Sequence, residues 1–362
     1  MHRNTQTDTY KNNNVNKTDI RIFSLPELEN IVQAYGEPKF KAKQIYQWIW
    51  QKRALDFDEM TNLSKNLREK LKESYSFNKL QNVHQQISLD GTIKTGWKLE
   101  DDSIIESVLI PVPRDNRYTL CVSSQVGCSL DCKFCATGKL KKVRNLKDYE
   151  IVEQFYKVNE QSIENYGHKL TNIVYMGMGE PLLNYNNVIK SIDKITNPNA
   201  AGYSMRRITI STAGIVKGIN RLADDNMKVN IALSLHAADD KKRNILMPIN
   251  ETNKLKDVIK SLINLYDKTK VKISYEYIMF KDFNDSLDDA EKLYKLTKYF
   301  PVKVNIIEYN YVEGVDLKKS GDDKVNRFAK YLVDKGVMAT VRRSRGKDID
   351  AACGQLANKV EK

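Results

Sequence analysis

Residues 127–138 read GCSLDCKFCATG, and this stretch decides how the rest of the chain is interpreted. It places Cys128, Cys132 and Cys135 close together, with Phe134 immediately before the last thiol. A structural zinc site uses four protein ligands, and no fourth lies nearby. An iron–sulfur cluster held by three cysteines leaves one iron open to bind a substrate. The spacing favours such a cluster, with zinc or an unrelated thiol cluster as the alternatives.

The length and composition allow a large catalytic domain with a smaller companion. The 362 residues leave room for about two domains, one of which could be a barrel of ~200 to 250 residues. The chain has 59 Lys and Arg against 46 Asp and Glu, a net charge of +13. Such a surface attracts polyanions such as nucleic acids, although charge alone leaves nucleic-acid binding open.

The cysteine count and the hydropathy indicate a cytoplasmic protein. Five cysteines, an odd number, argue against a secreted disulfide scaffold and for reduced thiols with chemical roles. Residues 1–16 are polar, and no apolar run approaches the ~18 residues needed to span a bilayer. We therefore expect no membrane association.

The N-terminal part divides into a leader, a helical module and a hairpin extension. Residues 1–20, rich in Asn, Thr and Lys, are predicted to be a disordered leader. Residues 21–78 read as three short helices, the first capped by Ser24 with Glu27. This module suits RNA contact, and a simple packing role fits equally. In residues 79–117, Asp90-Gly91 joins two alternating runs in a hairpin.

A third alternating run, residues 103–110, contains Glu106 within SIIESVLI. A carboxylate in such a strand usually lies on its solvent-facing side. The alternative is a partly buried base with a raised pKa.

From Tyr118 the pattern becomes strand, loop and helix, repeated. Strands are predicted at about residues 118–123, 172–176, 207–211, 229–235, 271–279 and 302–308. Six such units predict an α/β fold, a partial (βα)6 TIM-type barrel over residues 118–343, with its active site at the carboxyl ends of the strands. A further strand near residues 337–342 leads into a C-terminal loop, residues 344–362.

Several residues stand where these strands end. The cysteine loop follows the first strand, and the second ends in MGMGEPLLN, residues 176–184. Its glycines allow close approach of a ligand to the backbone, and Glu180 can bind an ammonium group. Polar side chains at other strand ends could be helix N-caps, but they share one rim: Ser211, Ser234, His236 and Asn310.

The cysteine spacing resembles that of the radical S-adenosylmethionine (SAM) superfamily, in which the open iron binds the amino and carboxylate groups of SAM. A longer series is similar to the bacterial dual-specificity 23S ribosomal RNA and transfer RNA adenine carbon-2 methyltransferases. It comprises CVSSQVGC, CKFCATG, MGMGEPLLN, ITISTAG, SLHA, MPIN and DIDAACGQL, and the resemblance runs from about Ser24 to Leu356.

The resemblance implies a role for each matching residue. Three cysteines would hold a 4Fe-4S cluster: Cys128, Cys132 and Cys135. Other positions match SAM contacts: Gly179, Glu180, Ser211, Ser234, Leu235, His236 and Asn310. Cys353 matches the cysteine methylated by a first SAM, Cys121 its disulfide partner and Glu106 the proton acceptor. Without the resemblance, Cys121 and Cys353 would read as a buried strand residue and an inert tail residue.

The reaction that the resemblance implies explains why a cluster, SAM and two further cysteines are needed together. Carbon 2 of adenine is electron-poor, so it does not attack the methyl group of SAM directly. A second SAM would give a 5′-deoxyadenosyl radical that takes hydrogen from methylated Cys353, and the carbon radical would add to the ring. Attack by Cys121 on Cys353 would release the RNA and leave a disulfide. A flavodoxin-type electron donor is implied, and a monomer is the default.

The sequence departs from the family pattern in two places, and two other functions are alternatives to this one. The family pattern differs at Lys141-Lys142 and at Tyr311-Val312, which leaves the shape of the RNA-facing loops, and so the choice between ribosomal and transfer RNA, open. One alternative is the related adenine carbon-8 methyltransferase of antibiotic resistance. The other is a metal-stabilised RNA-binding assembly factor, which would hold zinc and have no use for Cys121 or Cys353.

Overall fold

The computed structural model describes residues 17–357, in two compact units that divide after Asn78. Most of the predicted leader, residues 1–16, lies outside the described residues. The elements of the first unit are β1 (Thr18–Asp19), α1 (Leu25–Ala34), α2 (Phe40–Trp50), α3 (Lys65–Ser74) and β2 (Tyr75–Ser76).

The helical module forms as its apolar spacing predicts. Ser24 starts α1 and donates from its backbone N–H to Glu27 at 2.6 Å. The helices bury a shared apolar core: Leu28, Val32, Ile45, Leu67 and Leu71.

Folded structure begins earlier than the predicted boundary at residue 20. Strand β1 pairs in parallel with β2. The buried Asp19 and Arg21 form an ion pair at 2.7 Å, and Asp19 also accepts the Asn78 N–H at 2.7 Å. The segment is polar by composition, but its charges are satisfied inside the unit.

The second unit alternates strands and helices. Its strands are β3 (Gln81–Ile87), β4 (Ile93–Lys98), β5 (Ile104–Val112), β6 (Arg117–Cys121), β7 (Gln125–Val126), β8 (Arg144–Asn145), β9 (Asn172–Tyr175), β10 (Ile208–Thr212), β11 (Asn230–Ser234), β12 (Ile273–Met279), β13 (Val302–Glu308) and β14 (Met338–Arg342). Its helices are α4 (Ala136–Lys139), α5 (Asp148–Tyr166), α6 (Tyr185–Thr196), α7 (Val216–Asp224), α8 (Asp240–Leu246), α9 (Leu255–Thr269), α10 (Leu287–Leu296) and α11 (Asp322–Asp334).

One sheet organises this unit, in the strand order β14-β13-β12-β11-β10-β9-β6-β5-β4-β3. The pairings from β6 to β14 are parallel, which confirms the predicted α/β barrel strands. Strand β14 pairs in parallel with β13, so it extends the six predicted strands by a seventh. The hairpin extension continues the same sheet, because β5 pairs antiparallel with β6.

The parallel strands bring their carboxyl ends to one edge of the sheet, and the connecting loops there form the site. The central strands are apolar because helices cover the sheet. Within residues 17–357, no helix is both long and apolar enough to cross a bilayer.

Candidate active site

A cavity opens at the carboxyl ends of the parallel strands, with ≈ 870 Å³ of space free of protein atoms when its open mouth is included. Most of the residues predicted from the sequence line it: Cys128, Cys132, Cys135, Gly179, Glu180, Ser211, Ser234, His236 and Cys353. The fold therefore brings predicted site residues from five separate segments of the chain to one place.

The cysteine loop is fixed by short-range backbone bonds and by aromatic packing. The Cys135 N–H donates to the Cys132 carbonyl at 3.1 Å, and the Gly138 N–H donates to the Cys135 carbonyl at 3.1 Å. Phe134 is buried and meets the His236 ring edge to face, with centroids 4.6 Å apart. The loop therefore holds its three thiols against the cavity.

The three thiols are the ligand set that a cubane iron–sulfur cluster uses. In the described part of the chain, no group of three His, Cys, Asp or Glu side chains is arranged to hold one metal ion. A cubane cluster does not need that arrangement, because each cysteine binds a different iron. Burial raises the pKa of Cys128 to about 11 and raises the pKa values of the other two thiols, so bound iron would have to keep them ionised.

The glycine-rich loop is braced by Gln125, which sequence reasoning did not single out although it lies within CVSSQVGC. The Gln125 Oε1 accepts the Glu180 N–H at 2.9 Å. Gly179 has φ +96°, and a Cβ there would lie 2.5 Å from the Cβ of Gln125. Only glycine fits this position without displacing its neighbour.

The Glu180 carboxylate is oriented by backbone donors. Its Oε1 accepts the Leu182 N–H at 3.1 Å and its Oε2 accepts the Ala213 N–H at 2.8 Å. Burial nevertheless raises the pKa of Glu180 to about 7. A cationic ligand group beside it would favour the ionised form.

The next two strand ends present hydrogen-bonding groups. The hydroxyl oxygens of Ser211 and Ser234 lie 3.3 Å apart. Burial lowers the pKa of His236 to about 3, and its Nδ1 accepts the Ile278 N–H at 3.1 Å. The imidazole is therefore neutral at physiological pH, with its proton on Nε2 as a donor.

Two predicted SAM contacts are not among the residues that line the cavity. Leu235 is fully buried, and its backbone carbonyl accepts from the Arg243 Nε at 3.2 Å. The Asn310 Nδ2 donates to the carbonyl of Cys353 at 3.3 Å. Their predicted contacts with SAM therefore stay predictions.

Arg243 is a second residue that sequence reasoning missed. It is fully buried, and its Nη2 donates to the Ala213 carbonyl at 2.5 Å. Its Nη1 donates to Asn250 Oδ1 at 2.5 Å. Burial lowers the pKa of Arg243 to about 10, so it remains a cation at neutral pH. Nothing in the sequence marked it, since an arginine on an amphipathic helix is ordinarily exposed.

The C-terminal loop closes against the cysteine loop. The Ala136 N–H donates to the Gly354 carbonyl at 2.7 Å, and the Thr137 hydroxyl donates to the Leu356 carbonyl at 2.6 Å. Gly354 itself has φ +84°. These bonds hold Cys353 at the cavity.

The two cysteines implied as partners are free thiols in different environments. Cys121 is buried in β6, whereas Cys353 is accessible within the cavity. Burial raises the pKa of Cys121, and the nearby Cys353 adds to the effect. The packing of protein around the cavity also raises the pKa of Cys353.

The position of Glu106 differs from the one expected from the sequence. We expected it on the solvent-facing side of its strand, but it is fully buried, because the sheet extension and the C-terminal loop cover β5. Its Oε2 accepts the Ala357 N–H at 2.9 Å. The Nζ of Lys94 and the Nε2 of His84 both lie 3.8 Å from its Oε1.

Comparisons with known proteins agree with this geometry. Residues 18–76 match the ribosomal RNA large subunit methyltransferase N-terminal domain, and residues 122–296 match the radical SAM superfamily. A crystal structure of a radical SAM methyltransferase from Sphaerobacter thermophilus superimposes with a TM-score of 0.87 at 38% identity, covering 94% of this chain and 99% of that one. This likeness confirms the fold class.

Similar sequences extend along nearly the whole chain. A probable dual-specificity RNA methyltransferase RlmN of Cytophaga hutchinsonii is 50% identical, over 96% of this chain and 95% of the relative. The dual-specificity RNA methyltransferase RlmN of Nautilia profundicola is 41% identical, over 94% of this chain and 99% of the relative. The cofactors of the superfamily are a 4Fe-4S cluster and SAM, and the cavity residues fit both. The chain belongs to the RlmN family of radical SAM RNA methyltransferases.

Proposed function

We propose that the protein converts adenosine to 2-methyladenosine in 23S ribosomal RNA and in transfer RNA, by way of a methyl group carried on Cys353. The observation that carries this proposal is the meeting of Cys353 with the three cysteines of the loop and with Glu180 around one cavity. A methyl donor, a radical source and a methyl-carrying thiol must share one site for such a reaction.

The cofactor side of the cavity would hold the cluster and SAM. Three thiols bind the iron: Cys128, Cys132 and Cys135. Glu180 and the backbone beside Gly179 receive the SAM ammonium, and His236 Nε2–H and the two serines donate to its polar atoms. A bound, reduced cluster at this place would supply the electron for reductive cleavage of SAM.

The cysteines of the chain carry out the remaining covalent steps. Cys353 first takes a methyl group from SAM: its S–C bond forms as the sulfonium–methyl bond breaks. After a hydrogen atom has been removed from that methyl group and its carbon has joined carbon 2 of adenine, Cys121 would attack the Cys353 sulfur, so that the S–S bond forms as the Cys353 S–C bond breaks. The freed carbon would take up a proton to complete the methyl group of the RNA, and the surplus electron of the radical adduct would pass to the oxidised cluster. The accessible position of Cys353 in the cavity and its proximity to Cys121 support this pairing.

Glu106 would accept the proton from carbon 2. Its carboxylate lies under the C-terminal loop, bonded to the Ala357 N–H four residues beyond Cys353. Lys94 and His84 flank it and offer a route for the proton away from the site. Reduction of the disulfide then needs two electrons, for which we propose a flavodoxin-type donor.

We also propose that the protein acts as a monomer in the cytoplasm, where its RNA substrates are found. The net charge of +13 supports RNA binding.

The test is mass spectrometry of RNA from cells lacking this protein and complemented with wild type or Cys353→Ala. We expect 2-methyladenosine to disappear from 23S and transfer RNA and to return with wild type alone. Loss of 8-methyladenosine instead would establish the carbon-8 reaction. An unchanged modification pattern, or anaerobically purified protein without visible iron–sulfur absorbance, would favour the non-enzymatic alternative.

A further inference from the structure

A row of polar side chains crosses the inside of the barrel beyond the predicted SAM contacts. Ser234 pairs in register with Glu276, Glu276 with Asn305, and Asn305 with Thr340. The Asn305 Nδ2 donates to Glu276 Oε1 at 2.8 Å, and the Thr340 hydroxyl donates to Asn305 Oδ1 at 3.1 Å. The cofactor assignment uses only the Ser234 end of this row.

Glu276 leaves one carboxylate oxygen without a donor. Its Oε1 accepts from Asn305 and from the Ser274 hydroxyl, the latter at 2.7 Å. Its Oε2 is buried and has no hydrogen-bond donor among residues 17–357. A buried carboxylate oxygen without a donor is costly, so a group on a bound ligand is its natural partner.

Arg342 stands beside that oxygen. It lies on β14 two residues beyond Thr340, so both side chains leave the same face of the strand. The Arg342 Nη1 forms an ion pair with Glu276 Oε2 at 3.6 Å, a distance longer than a hydrogen bond. Its side chain is about half exposed. The cavity thus presents an acceptor and a donor side by side.

This pair lies on the side of the barrel that holds Cys353. Glu276, Arg342 and Cys353 all line the cavity. The Cys353 carbonyl is bound by Asn310, which follows β13, the strand between those of Glu276 and Arg342. A ligand on this pair therefore lies next to the methyl-carrying thiol.

The adenine ring complements the pair. Its Watson–Crick edge places the exocyclic amine, a donor, next to N1, an acceptor, and carbon 2 follows N1 directly. Guanine presents the reverse order, and carbon 8 lies on the far side of the base. Enzymes that modify a base commonly extrude it and read this edge by hydrogen bonds.

We propose that Glu276 and Arg342 select the target adenine: Glu276 Oε2 accepts from the exocyclic amine and Arg342 donates to N1, which directs carbon 2 towards Cys353. This inference rests on the proposed function. It makes the pair a determinant both of base identity and of the choice of carbon 2.

The experiment compares two RNA substrates that differ at the target base alone, adenosine or purine riboside, which lacks the amine. Wild type is expected to have a kcat/KM about ten- to a hundredfold lower with purine riboside. In Glu276→Gln, the Asn305 amide and the Ser274 hydroxyl still donate to the Oε1 position and keep the amide oxygen there. The NH₂ group therefore takes the place of Oε2. The ratio of kcat/KM for adenosine to that for purine riboside should then fall to about one, which means no discrimination.

Glu308→Gln is the matched control. Glu308 is also buried, on β13, but its carboxylate binds Lys319 and Lys347 at 2.7 and 2.8 Å and does not line the cavity. Its preference for adenosine over purine riboside should equal that of wild type. The ratio of two substrates in one variant cancels any general loss of folded enzyme.

Arg342 is tested in the same way with 1-deazaadenosine, which replaces N1 by carbon. Arg342→Gln should reduce the preference for adenosine over this analogue about tenfold, and Arg342→Lys should restore part of it.

Three results would overturn the proposal. The first is methylation of purine riboside by wild type as fast as that of adenosine. The second is a wild-type preference for adenosine in Glu276→Gln. The third is a raised dissociation constant of SAM in Glu276→Gln with the preference for adenosine unchanged. The last result would assign the pair to SAM. If wild type methylated none of these RNAs while SAM bound normally, the proposed function itself would fall.

Discussion

The two sides of the cavity differ in how their polar groups are satisfied. On the side of β9 to β11, Glu180 and His236 already bind backbone N–H groups, so their geometry is set before a ligand arrives. On the side of β12 to β14, Glu276 Oε2 has no donor in the described residues, and Arg342 is half exposed. The first arrangement suits a small cofactor of constant shape, and the second suits a base that enters from a large RNA.

The largest expected effect is on the cofactor side. Cys135→Ala removes one of three iron ligands, so we expect complete loss of the cluster and of RNA methylation. Iron content and visible absorbance of anaerobically purified protein measure this loss. Cys353→Ala is the comparison: it should abolish RNA methylation while iron content stays within about twofold of wild type. Loss of iron in both variants would contradict the division of the cavity into two sides.

Much of the fold and of the β9 to β11 side of the cavity could be predicted from sequence, because the elements there carry local signals. The parallel strands are short, largely apolar runs, and their predicted positions agree with the structure to within about two residues. The cysteine loop and the glycine-rich loop are contiguous motifs that directly follow strands. The carboxyl ends of parallel strands meet at one edge, so their residues had to converge.

The residues that were missed are buried polar groups with partners far away in the chain. Glu276 meets Asn305 through sheet register, and Arg243 meets carbonyl groups of two strand ends. A local pattern shows which residues alternate along a strand but not what covers its second face. That is why Glu106 was expected at the surface, although the extended sheet and the C-terminal loop enclose it.

Gly179→Ala tests whether the glycine-rich loop belongs to the cofactor side of the cavity. The new Cβ would lie 2.5 Å from Gln125, in a backbone conformation with φ +96° that disfavours alanine. Moving the glycine-rich loop should raise the dissociation constant of SAM about ten- to a hundredfold. Equilibrium binding of SAM by calorimetry measures it.

Gly167→Ala is the control for that substitution. Its φ is +69°, with no atom within 4 Å of the added Cβ, so only the backbone strain is shared. SAM affinity in this variant should stay within about twofold of wild type. Equal losses of SAM affinity in Gly179→Ala and Gly167→Ala would show that backbone strain, rather than the contact with Gln125, governs SAM binding.

The pH dependence of SAM binding should follow Glu180. Its pKa of about 7 means that the carboxyl group loses its charge as the pH falls through neutrality. Only the ionised form attracts an ammonium group, so affinity is complete above pH about 7 and decreases below it, by up to tenfold per pH unit. Between about pH 8 and pH 6 we expect a loss of about tenfold. Calorimetric titrations at several pH values test this, and Glu180→Gln should weaken binding and flatten the profile. A flat wild-type profile would exclude Glu180 as the group that receives the ammonium.

The smallest expected effect is on the substrate side, with Gly354→Ala. Gly354 has φ +84°, and an added Cβ would lie 3.2 Å from the Phe134 carbonyl oxygen, so the loop that carries Cys353 must shift slightly. A strain of about 1 kcal/mol corresponds to a roughly fivefold slower RNA methylation, measured as kcat with saturating SAM. Gly336→Ala, with φ +79° and open space around its Cβ, should leave that rate within about twofold. Because the strain lies on the loop of Cys353 and not on the glycine-rich loop, the dissociation constant of SAM should not follow the rate. A parallel loss of SAM affinity in Gly354→Ala would mean that the C-terminal loop helps to form the cofactor site, and the two sides of the cavity would then have to be treated as one.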